Sequence, residues 1–486
     1  MSHRKVNKAS FLEGFVWKLV EQYSVLGIQF VLQIVLARIL APSVFGELTI
    51  VLIFIAIANV FVQSGFPIAL IQLKDIDRND ENTAFFISLI IAVIAYFLIY
   101  LLAPSFGVFF HSYNLSVYLR VCAIILFPGV YTSIVTALAK RDVDFKTIFH
   151  SSFVSVLVSG ILSVILALSG WGIWTLIFQQ IIYSVVNALY LFMRFRWIPS
   201  FSLNHNSVKY LYKIGFSVLM VNLINELSVQ LRNIVIGRSY TKSDLAFYSR
   251  GQQFPNLLTR SINGALSEIV LVKTSKIQDN FVAVLNSLKK TVALSSFIIF
   301  PVLILMTILS PVFVPLLLTE KWNSSIPYVM IFCAYYSTWP ISSTMNKTLY
   351  GIGKTKIVLY LEVSWKILDV IVLIITLHYG PLYIALGLAI VSAIATILYS
   401  IITIHNLNGE YQVVFYSFLR PLGSSLIMSI PLVYLVDILP DNFINLIIEF
   451  IVGMLLYVIS SYIFNKKDFL SFCSIISGFI KSKRQI

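Results

Sequence analysis

Charge is scarce in this sequence. Asp, Glu, Lys and Arg supply 12% of the residues against 58% that are hydrophobic, whereas soluble domains carry roughly a quarter charged residues. So little polar surface cannot cover so much apolar bulk in water, which excludes a soluble fold. Cysteine is nearly missing as well. Cys122, Cys333 and Cys473 sit in or beside apolar segments, which argues against a disulfide framework or a thiolate metal centre. There is no metal-ligand cluster, no Gly-rich phosphate loop and no credible nucleophile and base pair. His111, His150, His205, His378 and His405 are scattered over loops and helix ends, and Gly351 to Lys354 lacks the strand and spacing of a P-loop, so it reads as a turn. These absences point away from an enzyme and predict no cofactor and no bound metal. Acidic residues are the scarcer sign, 21 against 35 Lys and Arg. The basic residues are dispersed among short polar breaks instead of forming a patch with interleaved aromatics, which speaks against nucleic acid as a partner.

What the chain has in abundance is apolar runs of spanning length, each needing about 20 residues. They predict an all-α polytopic membrane protein of about fourteen transmembrane helices, near residues 15–38, 45–70, 83–103, 118–139, 148–169, 172–193, 210–237, 245–270, 291–310, 326–346, 357–378, 381–404, 416–437 and 443–464. The first, seventh and eighth are polar enough for a hydropathy window to miss. Lys18, Glu21, Gln22, Gln29 and Gln33 in the first span, with no small-residue cleavage site, lead us to expect a retained helix and not a removable signal peptide.

The distribution of Lys and Arg tests this count, because cytoplasmic loops collect them. With fourteen spans, one set of ends holds 25 of the 35 basic residues and the other only Arg38, Arg120, Arg238, Lys242 and Lys321. Dropping or adding one span would scramble that alternation. Both termini are therefore expected in the cytoplasm.

An internal repeat organises the spans. Gln33 to Arg38 matches Asn233 to Arg238 at an offset of 200 residues, and Cys122-Ala123 matches Cys333-Ala334 at an offset of 211. Two six-helix lobes are expected, residues 1–205 and 206–405, followed by two further helices and a basic tail in 406–486. Six is even, so both lobes enter the membrane from the same side and are related by a pseudo-twofold axis along the membrane normal.

Polar residues inside the spans are costly and so informative. In the first span Lys18, Gln22, Gln29 and Gln33 share one face, and the second span offers Asn59 and Gln63. The seventh carries Asn222, Glu226, Gln230 and Asn233, and the eighth carries Arg250, Gln253, Asn256, Arg260, Asn263 and Ser267 at intervals of three or four residues. One reading makes these stripes interhelical hydrogen-bond seams, with Lys18 and Glu21 neutralising each other. The other makes them the wet lining of a central cavity, and there Arg250 and Arg260, with no acid at a neutralising spacing, suit phosphate. In the eleventh span Glu362, Lys366 and Asp369 fall at i, i+4 and i+7, a self-neutralising pattern before it is a proton or cation relay. Glu449 stands alone in the last span.

Several of these residues resemble a known family. Leu36-Ala37-Arg38-Ile39-Leu40-Ala41-Pro42-Ser43-Val44-Phe45-Gly46 is similar to the signature between the first two helices of polysaccharide flippases. Gln63 to Gln72, with Gly65 and Ala69-Leu70-Ile71-Gln72, is similar to the stretch that follows it. Lys140 to Lys146, with Arg141 and Phe145, resembles the basic loop after the fourth helix, and Tyr248-Ser249-Arg250-Gly251 the start of the eighth. The likeness spans most of the chain and lies nearest the colanic-acid and lipopolysaccharide exporter branch. It implies the two-lobed fold of the multidrug/oligosaccharidyl-lipid/polysaccharide (MOP) exporter superfamily. It further implies alternating access on undecaprenyl-diphosphate-linked oligosaccharide in the bacterial inner membrane, with membrane lipid as surroundings and a polysaccharide polymerase and chain-length regulator as candidate partners. Related lipid flippases line the cavity with cations from helices 1, 2 and 8. Lys18, Arg250 and Arg260 match that pattern, whereas helix 2 departs from it with only Asn59 and Gln63.

Two other functions compete. A cation-coupled drug exporter on the same fold would want an acidic cavity, against which the basic eighth span argues. A membrane glycan polymerase or ligase would want a large exocytoplasmic loop bearing catalytic residues, and the loops here are short. The topology is open to a direct check: a C-terminal fusion to a reporter active only in the cytoplasm should be active, and a fusion to one active only outside should be silent. The reverse pattern would remove the fourteen-span arrangement.

Overall fold

Where the apolar runs are interrupted, the interruptions carry the chemistry that starts and stops helices. Asp77 accepts from the backbone N–H of Asp80 at 2.8 Å while its own N–H donates to the Asp80 carboxylate at 3.1 Å, a reciprocal cap. Asp144, Asn280 and Asn442 likewise cap with their side chains. Pro42, Pro67 and Pro381 sit in first turns, where the missing N–H costs nothing.

The computed structural model describes residues 8–63, 65–73, 76–201, 205–466, 469–470 and 472. Helices α1 (Lys8–Ile39), α2 (Pro42–Gln63), α3 (Phe66–Gln72), α4 (Arg78–Phe109), α5 (Leu115–Cys122), α6 (Leu126–Arg141), α7 (Phe145–Leu168), α8 (Ile173–Phe195) and α9 (His205–Ser239) come first. They are followed by α10 (Lys242–Lys276), α11 (Phe281–Leu318), α12 (Ile326–Gly351), α13 (Thr355–Thr376), α14 (Pro381–Asn406), α15 (Tyr411–Ile438) and α16 (Phe443–Phe464). The described residues contain no strand. The second span is α2 with the short α3. The fourth is α5 and α6, joined by a 3-10 turn at Ala123–Ile125, just before Pro128 withdraws the N–H that would bond Ile124. Counted this way the helices make fourteen spans. Among the described residues nine helices are long and apolar enough to qualify alone. The others are α1, α9 and α10, the three that the polar stripes dilute, together with α12 and α13.

The chain forms two compact units, which divide between Ala246 and Phe247. In the first, α1 packs on α7, α7 on α8, and α2 on α4, α6 and α9. Small residues permit the close approaches: Ser151, Ser155, Ser159 and Ser163 are buried along α7, and a Cβ on Gly160 would overlap Leu32 of α1. The sequence places α9 at the head of a second lobe, and in the structure it packs on α2, α3 and α4. A pair of glycines allows this: Gly215 lies against Gly65 with no room for a side chain. A Cβ on Gly46 would run into the carbonyl of Lys242 at the start of α10. The unit's core gathers Phe66, Leu70, Ile134, Leu138, Trp197 and Leu211.

In the second unit α11 packs on α12 and α15, α12 on α14, α13 on α14, and α15 on α16. Val284, Leu288, Phe300, Met345, Leu349 and Tyr399 form one core cluster, and Phe297, Leu305, Met428, Leu432 and Tyr457 a second. The outer faces are apolar. Ile94, Phe97, Leu98 and Leu101 on α4, and Ile444, Ile447, Ile451 and Leu455 on α16, are all exposed, as lipid contact requires.

Candidate functional site

The polar stripes of the spans divide between the two units. In the first unit the side chains of Lys18 and Gln22 lie outside the described residues, as does that of Glu21. Gln29 and Gln33, further along α1, are half-buried. On α2, Gln63 donates to the Asn59 carbonyl oxygen at 2.9 Å. The pair rests on α6 where Gly129 leaves room: a Cβ there would stand 3.0 Å from the Gln63 amide.

The stripe on α9 is a ladder. Asn233 donates to Gln230 at 2.9 Å, and Gln230 donates to the Glu226 carboxylate at 2.7 Å. Asn222, one turn before Glu226, is half-buried. The spacings of three and four residues that put these groups on one face also let each satisfy the next. These bonds run within α9 and not between helices, a row of amides that ends on an acceptor.

The first unit also holds a polar cluster that sequence reasoning missed. Lys242 pairs with the carboxylate of Glu47, and Ser112 donates to Glu47 at 2.9 Å and accepts from Lys242 at 2.9 Å. Beside it Arg238 meets His111 and stacks over Phe109, 5.3 Å from the ring centre. Glu47 directly follows the Gly46 that lies against the Lys242 backbone, so one crossing point combines backbone contact and charge. The available signal was an acid next to the repeat motif, at helix ends otherwise marked by few charges.

In the second unit α10 carries the cations. Arg250 is 6% exposed; its guanidinium donates to Gln253 at 2.8 Å and lies 5.2 Å from the centre of the Trp322 ring. Around it Tyr248 packs edge-on against Tyr328 and Phe332, and Gly251 presses on Tyr328 where no Cβ fits. Gln252 donates to the Tyr336 hydroxyl at 3.3 Å. Arg260, by contrast, is exposed, while Gln253 and Asn256 are half-buried and Asn263 is buried. Geometry explains the difference. Ten residues of α-helix make 2.8 turns, so Arg250 and Arg260 point about 80° apart as well as lying about 15 Å apart along the axis. The eighth span is therefore not one wet face throughout. Its first turns are sealed around Arg250, and its open side is Gln253, Asn256 and Arg260.

Among the described residues no group of three or more His, Cys, Asp or Glu side chains is arranged to hold a metal. Cys122 and Cys333 are free and buried, and Cys473 lies outside the described residues.

Comparison with known proteins places this geometry. A family model described as polysaccharide biosynthesis protein matches residues 35–327. The chain is 23% identical to the lipopolysaccharide biosynthesis protein WzxC of Escherichia coli K12 over 403 residues, 82% of each chain. It is 19% identical to the succinoglycan biosynthesis transport protein ExoT of Rhizobium meliloti over 453 residues, 92% of this chain and 91% of that one. Among solved structures it resembles the lipid II flippase MurJ in an inward closed conformation, with 18% identity, a TM-score of 0.75 and coverage of 94% and 99%. It also resembles an inward-facing MATE family transporter of the MOP superfamily, with 14% identity, a TM-score of 0.62 and coverage of 80% and 98%. The fold is that of this superfamily.

The contrast between the two arginines is measurable by thiol labelling, with the three native cysteines replaced by serine. A membrane-impermeant maleimide should modify R260C at least about tenfold faster than R250C, since reaction follows access. Equal rates, or modification of R260C only by a lipid-soluble reagent, would show that the open side of α10 is not aqueous.

Proposed function

Because the chain belongs to the polysaccharide biosynthesis protein family, we propose that it is a flippase. It carries undecaprenyl-diphosphate-linked oligosaccharide from the cytoplasmic to the periplasmic leaflet of the bacterial inner membrane, for assembly of a surface polysaccharide. The physical problem is the headgroup. An isolated ionised group in a medium of low dielectric is penalised by tens of kcal/mol, and a diphosphate with attached sugars cannot cross unaided. The protein must offer cations and hydroxyl-binding amides along a path closed to lipid.

The observation that carries the reading is Arg260, an exposed guanidinium on the polar side of a spanning helix in a transporter fold. An exposed arginine beside half-buried Gln253 and Asn256 presents a planar fork to a phosphate and amides to what is attached to it. Arg250 serves as a second station, reached when Trp322 and Gln253 release it. Lys18 of α1 adds a third cation. Gln22, Gln29, Gln33, Asn59, Gln63, Asn222, Glu226 and Asn263 complete the polar lining. The chain works by alternating access, and both termini lie in the cytoplasm. A polysaccharide polymerase and a chain-length regulator are the partners such a product calls for.

Complementation of a flippase-deficient strain tests the assignment, with membrane abundance checked by blotting. Arg260→Ala should reduce glycan export about ten- to a hundredfold, the loss expected when a charge-assisted contact is removed from a low-dielectric site. Arg260→Lys, which keeps the charge and loses the fork, should retain partial export. Full export by the double variant Arg250→Ala, Arg260→Ala at normal abundance would show that these arginines do not handle the substrate.

A further inference from the structure

The second unit contains a pocket that the path along α10 does not use. It lies among α12, α13 and α14, has a volume of about 340 Å³, and is lined by Trp339, Asn346, Tyr350, Glu362, Trp365 and Tyr399 among others. Helical spacing builds it: Trp339, Asn346 and Tyr350 share a face of α12, and Glu362 and Trp365 are one turn apart on α13. Glu362 is seven residues into α13 from Thr355, about 10 Å along the axis from the end of the span where basic residues gather.

The hydrogen bonds inside the pocket are asymmetric. Asn346 donates to Glu362 Oε1 at 2.7 Å, and Tyr399 donates to the same oxygen at 3.0 Å. The second carboxylate oxygen accepts nothing from the described residues, although a carboxylate has about four lone-pair positions. The i, i+4 spacing to Lys366 suggests a carboxylate neutralised along its own helix. The partners that fix Glu362 come instead from α12 and α14. They hold one oxygen and leave the other to whatever enters the pocket. A spanning carboxylate that is half open in this way costs free energy unless water or a ligand completes it.

We propose that this pocket is a sugar subsite, taking one or two residues of a glycan attached to a lipid carrier. Sugars present C–H faces that pack on aromatic rings and hydroxyl pairs that need acceptors set close to donors. Trp339, Trp365 and Tyr350 supply rings, Glu362 supplies an acceptor held in place by two donors, and Asn346 and Tyr399 supply further polar atoms at its rim. Tyr350 is 43% exposed, and neither it nor Trp365 stacks on another ring among the described residues. Those two rings are thus not consumed by the core. The pocket size suits a ligand fragment and not a whole repeat unit. The inference rests on reading the protein as a glycan-lipid flippase, and it adds that the glycan is recognised by the second unit, away from the cations that meet the diphosphate.

Equilibrium binding to the purified chain separates the two claims. The probes are the undecaprenyl-diphosphate-linked repeat unit that accumulates in the host when this chain is deleted, and undecaprenyl diphosphate without sugar. The wild-type protein should bind the glycan-bearing lipid more tightly, and Glu362→Gln and Trp365→Leu should each lower the ratio of the two affinities about tenfold, the worth of one good charged hydrogen bond or stacking contact. Glu362→Gln is the sharper variant. Its amide oxygen can still accept from Asn346 and Tyr399, while the atom offered to the ligand changes from acceptor to donor. Should Trp365→Leu fail to fold, Tyr350→Leu replaces it on the exposed side. An unchanged ratio in the variants would overturn the proposal, as would both affinities falling together or a change confined to sodium or proton dependence. A wild-type chain that binds neither lipid would instead refute the flippase reading itself.

Discussion

Charge inside hydrocarbon is what the helices of this protein are arranged to accommodate. Of the 35 Lys and Arg residues only Lys18, Arg232, Arg250, Arg260 and Lys366 lie within spans and clear of their ends, and an ionised side chain at that depth costs at least ~2.5 kcal/mol. Each described solution is local. Arg250 is desolvated but compensated by an indole face and an amide oxygen. Glu226 receives a chain of amides along its own helix, and Glu362 receives an amide and a phenol from its neighbours. Arg260 is exposed instead of enclosed. A membrane protein that leaves a guanidinium open within a span has a use for it.

The packing serves the same end. Polar stripes are tolerable only where helices come close enough to exclude lipid from them, and close approach demands small residues. Gly129 admits the Asn59 and Gln63 amides, Gly46 admits the Lys242 backbone, and Gly251 lets α10 settle on Tyr328 beside Arg250. Many serine and threonine hydroxyls elsewhere bond back to their own helix, as Ser163 does to Gly160 at 2.8 Å and Thr396 to Ser392 at 2.8 Å. Such residues add polarity to the buried faces without leaving a donor unsatisfied. Glycine contacts and these satisfied hydroxyls close many polar groups, whereas Arg260 stays exposed and the outer oxygen of Glu362 accepts nothing from the described residues.

The spans were legible because apolar runs and the alternation of basic residues reinforce each other, and the motif around Gly46 marked the place where two helices nearly touch. Contacts made across long separations were not legible. Glu47 and Lys242 are 195 residues apart, and no periodicity connects them. Spacing along α10 grouped Arg250 with Arg260, yet a tenth residue falls well off the starting face, and only the environment of Trp322 shows which of the two is enclosed. Glu362 misled in the same way, because Lys366 stands at the favoured interval while the acceptor's partners arrive from α12 and α14. Helices α12 and α13, which do not qualify as spans on length and composition alone, also line the pocket around Glu362.

Movement of a charged glycan lipid between leaflets can be followed by reconstitution. Purified chain is placed in vesicles loaded on one leaflet with undecaprenyl-diphosphate-linked repeat unit, and the glycan reaching the opposite leaflet is read by a membrane-impermeant glycosidase. Transfer should rise with the amount of protein and be lost when Arg260 becomes alanine. Transfer no faster than in protein-free vesicles would contradict the flippase reading.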